Sequence, residues 1–345
     1  MGGAGELTET DSLHGERETG AQPAVSVVVC AYTEARLDSL HRLLDALPQQ
    51  TRPPAEVILV ADGGDRLAAT FRRRFPDALV VVNDGPHGHA GAANRGVSAA
   101  RGEVVAFIDD DAAPADERWL EWLTHGYSEP HVLGTGGRVE PRWRTARPGW
   151  FPDEFLWVVG ATHRGMAAGG GAVRNVWMGN MSVRRTLFDE VGGFRTSLSR
   201  VGTKPFGVQE TEFCVRAAHR RPGGVFLYEP RARVVHDVPA ARATFAYFRS
   251  HCFDEAVAKV EMARHVGARS GLAAERAYLA RVLPGGVVRG LADAALRRDP
   301  AGLGRAGAIV AGAAVAACGY TRARLRPAAR PGGDDLAIDV RPIGG

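Results

Sequence analysis

Three consecutive carboxylates, Asp109, Asp110 and Asp111, are the residues of this sequence best suited to chemistry. They end an apolar run at 104–108, which predicts a buried strand. Burying an unpaired carboxylate is costly, so the acids are expected where the strand emerges at its carboxyl end, the end at which open α/β sheets bind ligands. Oxygen ligands grouped this closely suit Mg²⁺ or Mn²⁺. The alternative is an acidic turn that caps a helix beginning near Asp116.

The segments around this triplet alternate between two periodicities. Short β-branched runs predict strands, and apolar residues at helical spacing predict helices between them. Strands are expected at residues 25–31, 57–60, 79–82 and 104–108, and helices at 35–47, 67–75 and 91–100. Such alternation predicts parallel βαβ units and therefore an α/β fold with a doubly wound, mostly parallel sheet.

The second half of the chain has a different pattern. We expect one strand at 134–140, a loop rich in Trp and Pro, two further short strands and a helical C-terminal region. In order along the chain, the loop covers 143–157, helices begin near Arg185 and after Thr211, the strands cover 225–228 and 232–235, and helix dominates 240–283.

Composition excludes several classes of protein. Hydrophobic residues make up 45% and charged residues 24% of the 345 positions, as in ordinary globular proteins. The net charge of +4 is not concentrated in a basic stripe with interleaved aromatic residues, so nucleic acid is not an expected partner. The four cysteines have no CxxC spacing, which predicts reduced thiols in the cytosol and neither a zinc site nor a disulfide framework.

The chain ends differ from its centre. Residues 1–22 lack an apolar core, so we expect a disordered tail and not a signal peptide, and 326–345 are also expected to be disordered. Residues 306–320 are continuously apolar but short of the roughly 20 residues that span a bilayer. Arginines flank them, which predicts a buried or interfacial helix, with a transmembrane span as the alternative. The expected units are a domain at 23–240, which contains the acid triplet, and a helical region at 241–325, which is a candidate for membrane association.

Five sequence elements, taken in order, resemble the family 2 glycosyltransferases of the GT-A type over about residues 23–260. They are VSVVVCAYTE, VADGG, GHAGAANRGVSAARGEVVAFIDDD, GVQETEFCVRAA and VVHDVP. Further segments resemble bacterial relatives of archaeal glucuronosyltransferases that act on polyprenyl-phosphate-linked glucose, among them WFPDEFLWVVG, GNMSVRR and RSHCFDEAVAKV.

This resemblance implies a GT-A fold and a metal-dependent, inverting transfer. The sugar would come from a nucleoside diphosphate, with UDP expected, and go to a hydroxyl group of a glycan or polyprenyl-linked acceptor. The expected setting is the cytoplasm at the inner face of the plasma membrane, with peripheral attachment. A divalent ion, Mn²⁺ or Mg²⁺, would neutralise the charge that develops on the leaving diphosphate.

The resemblance assigns a metal site to the acid triplet. Asp109 would contact the donor ribose or the metal, and Asp111 would coordinate the ion that bridges the donor phosphates. Asp110 could take either role, because an unbroken triplet does not show which pair binds. His236 matches a position that can complete the metal shell, and imidazole suits Mn²⁺ better than Mg²⁺. A lone histidine at a strand end is otherwise often structural.

The end of the first strand is implied to hold the nucleoside. Ala31, Tyr32 and Glu34 would contact the base and ribose, and Asp62 would accept a hydrogen bond from the uracil ring. Ala61 stands where many relatives carry a second aspartate, so the base is left open. Asp62 with the two glycines after it could instead form a plain turn.

Gly91, Asn94 and Arg95 stand near the start of a predicted helix. Backbone N–H groups and the helix dipole favour anions there, so these residues are expected to bind phosphate or sugar oxygens. His87 and His89 beside them are expected to be loop residues and not ligands.

Glu210 matches the position of the family's catalytic base, which removes the proton of the acceptor hydroxyl. Glu212 is expected only to favour the positive end of a helix, with orientation of Arg216 as the alternative. For Glu210, favouring the helix end is the alternative to the role of base. Trp150, Trp157 and Trp177 could stack on a sugar or a lipid-linked acceptor, or pack in the core.

Two other functions fit part of this pattern. A nucleotidyltransferase shares such a sheet and metal-binding acids, but VCAYTEARLD lacks the Gly-rich basic signature expected near its first strand. A non-catalytic sugar-binding module of the GT-A type would be expected to lack the base or the acid triplet, and both are present.

Overall fold

The computed structural model describes residues 22–166, 169–199, 207–267 and 273–326. The tails predicted at 1–22 and 326–345 lie outside the described residues, apart from Gln22 and Arg326.

The first half forms the predicted parallel βαβ units. The strands are β1 (Val25–Ala31), β2 (Glu56–Ala61), β3 (Leu79–Val82) and β4 (Val104–Ile108), and the helices are α1 (Leu37–Ala46), α2 (Gly64–Arg74) and α3 (His89–Ala99). The strands lie in the order β3-β2-β1-β4, all parallel. Because helices cover both faces, these strands are almost continuously apolar, with Ser26 and Glu56 as the polar exceptions, and β4 is buried along its whole length.

The second half extends the same sheet with strands of mixed direction. Its elements are β5 (Ala112–Pro114), α4 (Trp119–Thr124), β6 (Val132–Trp143), β7 (Gly171–Val173), β8 (Asn180–Arg184), α5 (Thr186–Val191), α6 (Gln209–Arg220) and β9 (Val225–Val238). The described strands make one nine-stranded sheet, in which β8 runs antiparallel to β4 and β6. Strand β6 is parallel to β9, and β5 and β7 are antiparallel to it. The predicted α/β architecture, with parallel βαβ units in its first half, is thus confirmed.

The structure differs from the sequence prediction at several points in this half. The two short strands predicted at 225–228 and 232–235 are one strand, because the pairing with β6 shifts between Gly137 and Arg138 and accommodates the residues around Pro230 as a bulge. Strand β8 was not predicted, since its five residues carry only two apolar side chains. The expected loop at 143–157 includes the start of a 3-10 helix, Asp153–Val159.

The C-terminal region is helical, as predicted. It consists of α7 (Phe245–Val266), α8 (Ala273–Ala277), a π-helical turn (Tyr278–Val282), α9 (Leu283–Leu296) and α10 (Ala301–Leu325). The sequence placed α10 at only 306–320. Among the described residues, this helix alone is long and apolar enough to cross a membrane by length and composition, and 28% of its apolar window is buried in the protein.

Small residues allow α10 to pack closely on the rest of the region. A Cβ atom at Gly312 would lie 2.7 Å from the Phe155 ring and 3.0 Å from the Phe248 ring. Farther along, Gly319 packs against the backbone of Phe253 in α7. One side of α10 is therefore packed against the 3-10 helix Asp153–Val159 and against α7.

Candidate active site

Two strands deliver the acid triplet and His236 to one point. Strand β4 ends at Ile108, so the three aspartates emerge at its carboxyl end. Strand β5 then pairs with β9 so that Ala112 faces His236, and the Asp237 N–H donates to the Asp111 carbonyl oxygen at 2.9 Å. The register of β9 thus positions His236 beside Asp111, 125 positions away in the sequence.

Asp109, Asp111 and His236 form a potential metal site. One ligand atom from each lies within 4.8 Å of the others. Asp111 and His236 are buried, with His236 Nε2 at 3.1 Å from Asp111 Oδ1, whereas the Asp109 side chain is 33% exposed. Two carboxylates and an imidazole are a ligand set that suits Mn²⁺. Because the Asp109 side is open to solvent, an ion held by these residues could also bind a ligand from the cavity.

Arg36 is a member of this site that the sequence analysis missed. Its guanidinium forms an ion pair with Asp110, lies 3.2 Å from Asp111 Oδ2 and packs over the Tyr32 ring at 5.4 Å. Arg36 could have been predicted from the sequence. Because β1 and β4 are neighbours in the sheet, a cation just after β1 lies close to acids just after β4. Arg36 thus compensates part of the negative charge of the triplet.

The triplet members differ electrostatically. Burial raises the pKa of Asp110 to about 7, although Arg36 opposes the shift. Burial also favours the neutral form of Asp111, but His236 and Arg36 outweigh it and hold the pKa of Asp111 well below its usual range. Burial lowers the pKa of His236, but the Asp111 carboxylate raises it more, so that the net shift is upward. Asp111 is therefore held in its ionised form, and it favours the charged form of His236.

The predicted nucleoside residues divide into two groups. Ala31, Tyr32 and Asp62 lie on the wall of the same cavity as the triplet. Asp62 accepts hydrogen bonds from the Asn83 amide at 2.6 Å and the Gly88 N–H at 2.8 Å, and therefore fixes the loop before α3. Glu34 does not contribute to the described wall, because its carboxylate accepts a hydrogen bond from Thr70 in α2 at 2.9 Å.

Gly91, Asn94 and Arg95, predicted to face this crevice, do not belong to its described wall. A side chain at Gly91 would collide with the Pro86 carbonyl. Asn94 donates to the Phe194 carbonyl at 2.9 Å and accepts from the Phe194 N–H at 2.8 Å. Arg95 donates to the Val82 carbonyl at 3.2 Å. The helix begins at His89, two positions before the predicted start. The residues of this segment on the cavity wall are His87 and Gly88 before the helix and His89 and Ala92 within it.

Two acids in the first turn of α6 have different surroundings. Glu210 is on the cavity wall. Glu212 is buried and binds the Arg216 guanidinium through both oxygens, at 2.9 and 2.8 Å. Arg216 also donates to the Gly193 carbonyl at 2.8 Å, so it joins α6 to the preceding loop. Glu212 thus orients Arg216, which was the alternative predicted for it, and Glu210 lines the cavity that the triplet also borders.

The cavity has a volume of about 1600 Å³ and continues from the triplet to the C-terminal helices. Trp157 and Trp177 line it, and His163 stacks on Trp177 with ring centroids 5.6 Å apart. Burial and Lys259 lower the pKa of His163 to about 4, so this imidazole is neutral at pH 7. Trp150 packs between Phe151 and Phe245 instead.

Comparison with known sequences places this site in a family context. The Glycosyl transferase family 2 profile matches residues 26–192. A glucosyl-dolichyl phosphate glucuronosyltransferase from Haloferax volcanii is 36% identical over 232 residues, which cover 66% of this chain and 74% of that protein. The glycosyltransferase AglE from the same organism is 30% identical over 128 residues, or 35% of this chain and 41% of that protein.

Solved structures share the fold. A mannosyltransferase from Pyrobaculum calidifontis, in complex with GDP-Man and Mn²⁺, is similar with a TM-score of 0.54 and 20% identity over 85% of this chain and 86% of that chain. GalNAc-T7 with UDP, GalNAc and Mn²⁺ has a TM-score of 0.50 and 16% identity, over 74% of this chain and 51% of that chain.

Proposed function

We propose that this chain, which belongs to glycosyl transferase family 2 and is a glycosyltransferase, transfers a sugar from UDP to a hydroxyl group of a polyprenyl-linked acceptor with inversion. The observation that carries the proposal is that Glu210, Asp109, Asp111 and His236 border one cavity. Its wall thus offers an acid for proton removal and ligands for a divalent ion.

The donor diphosphate would lie against the potential metal site. Asp109, Asp111 and His236 would hold Mn²⁺ or Mg²⁺, with Mn²⁺ preferred because of the imidazole. The ion would supply the positive charge that stabilises the departing diphosphate. Ala31 and Tyr32 are proposed to contact the nucleoside, and Asp62 its base. Arg36 holds Asp110 and Asp111 in place from the side of β1.

Glu210 is proposed as the general base. It would accept the proton of the acceptor hydroxyl while that oxygen forms a bond with the anomeric carbon and the bond to the diphosphate breaks. Attack from the face opposite the leaving group inverts the configuration. Because Glu212 is engaged with Arg216, it is not available for this step.

The acceptor class is proposed from two supporting observations. The Haloferax volcanii relative is named for a glucosyl-dolichyl phosphate substrate. The cavity also continues beyond the catalytic strands to α7 and α10, which leaves room for an acceptor larger than a monosaccharide. A lipid-linked acceptor would be reached at a membrane surface, so we propose that the enzyme works at the cytoplasmic face with the helical region 241–325 against the membrane.

A panel of nucleotide-sugars tests the proposal. The midpoint of thermal unfolding would be measured with each compound, with Mn²⁺ and with chelator. We expect UDP-sugars to raise the midpoint only with Mn²⁺, because donor and ion bind together. Stabilisation by a nucleoside triphosphate with a sugar phosphate, and not by any nucleotide-sugar, would favour a nucleotidyltransferase and overturn the proposal.

A further inference from the structure

The cavity has one end at the acid triplet, and one face of α10 forms the opposite end. Its lining residues recur every three or four positions and so lie on one side of the helix. They are Ala313, Ala316, Ala317, Tyr320, Thr321 and Arg324. Opposite them stand the π-helical turn and α7, which contribute Tyr278, Leu279, Tyr247 and His251. Alanine and aromatic side chains therefore supply much of the wall between α10 and these elements.

An exposed apolar stripe runs along α10 and meets this opening. Its members also recur every three or four positions, and they are Leu303, Gly307, Val310, Ala314, Ala317 and Thr321. Leu303 and Val310 are 58% and 57% exposed. Ala317 and Thr321 belong to both the stripe and the cavity wall, so the cavity opens directly onto the stripe.

Basic side chains surround the same opening. On the same cavity wall, Lys259 and Arg174 share Glu275, at 2.6 and 2.7 Å, and Lys259 also lies 3.5 Å from Glu255. The charges of these four residues balance. Arg276, Arg281 and Arg324 also line the cavity and are exposed, which gives this end an excess of positive charge.

We infer that this basic end is a subsite for the phosphate of a lipid-linked acceptor, with the isoprenoid chain lying along the α10 stripe. Guanidinium groups bind phosphate oxygens through paired hydrogen bonds, and an apolar stripe that continues from them fits the hydrocarbon chain. The sugar beyond the phosphate would then extend inward to Glu210. This inference rests on the proposed function, because it assigns the cavity to the acceptor.

Binding of farnesyl phosphate to the full chain, measured by calorimetry below its micelle concentration, tests the subsite. Farnesol and inorganic phosphate separate the contributions of chain and phosphate. We expect farnesyl phosphate to bind at least about tenfold more tightly than either, since charged hydrogen bonds supply the difference. The triple variant Arg276→Gln, Arg281→Gln, Arg324→Gln should lose this advantage over farnesol. The matched triple variant Arg72→Gln, Arg73→Gln, Arg74→Gln, on the exposed side of α2, should keep it.

Retention of the full phosphate advantage by the cavity triple variant would overturn the inference, as would an equal loss in the α2 triple variant. Equal affinities of the native chain for farnesyl phosphate and farnesol would also overturn it. None of these measurements needs a donor. A failed donor panel would therefore reject the proposed function without being mistaken for failure of the lipid-phosphate subsite.

Discussion

At the scale of single residues, Glu210 and Glu212 show how neighbouring acids acquire different roles. Glu210→Gln should keep donor affinity but lower transfer by about 100-fold or more, because the amide cannot accept the proton. Glu212→Gln should lower turnover less than Glu210→Gln does. It should lower the free energy of unfolding by about 1–3 kcal/mol, because Arg216 loses a charged partner. Kinetics and urea unfolding of both variants measure these effects. Near-normal turnover by Glu210→Gln would show that the base lies elsewhere.

Arg36 allows a second prediction at this scale. Arg36→Met removes the cation that accompanies the buried Asp110 and Asp111, so in chelator the variant should be less stable by roughly 3 kcal/mol. Mn²⁺ should then raise its thermal midpoint more than that of the native chain, because the ion replaces part of the missing charge. Arg66→Met, at an exposed position of α2, is the matched control. Unchanged stability of Arg36→Met in chelator would refute this role.

The sequence predicted part of the site because strand ends are predictable. Asp62 and Asp109 follow recognisable buried strands, and the ends of such strands meet at one edge of the sheet. The side-chain directions of Asn94 and Arg95 were not predictable in this way. The helix α3 starts two residues earlier than predicted, and two residues correspond to a rotation of about 200° around the helix axis. Each side chain therefore points to nearly the opposite side from the one expected. Arg36 could have been found from the adjacency of β1 and β4.

At the scale of elements, strands with continuous apolar runs were predictable and the mixed half of the sheet was less so. β8 is specified by tertiary contacts: Asn180 accepts a hydrogen bond from the buried Trp119 indole at 2.8 Å and donates to the Ala232 carbonyl at 2.9 Å. Such long-range pairing leaves little trace in a local pattern of five residues. The range predicted for α10 was too short, because the helix continues at both ends beyond its apolar centre, through residues that include glycines and arginines.

Packing of α10 can be tested with two glycines of the same helix. Gly312→Val should destabilise the protein by about 1–3 kcal/mol, because the new side chain would overlap the Phe155 and Phe248 rings. Gly307→Ala should be neutral or stabilising by up to about 1 kcal/mol, since nothing lies within 4 Å of its Cβ position and alanine favours helix. Guanidinium unfolding measures both. Equal effects would mean that α10 does not pack on these rings.

At the scale of the whole molecule, we expect reversible attachment to membranes. α10 packs along α7, which carries Asp254, Glu255 and Lys259, and a spanning α10 would bring such charges towards the hydrocarbon region. An apolar stripe with basic flanks binds anionic lipid in a salt-sensitive way instead. Fractionation should release the protein with high salt or alkaline carbonate. Retention in carbonate-washed membranes would indicate a bilayer-spanning helix.

The central claim is that Asp109, Asp111 and His236 hold the ion that binds the donor diphosphate. Calorimetric titration of UDP into the native chain and into Asp111→Asn, each with Mn²⁺ and with chelator, tests it most directly. Asp65→Asn, at an exposed position of α2, is the control. We predict UDP binding to the native chain and to the control only with Mn²⁺, and its loss in Asp111→Asn under both conditions. Equal UDP affinity with Mn²⁺ and with chelator in the native chain would contradict the account.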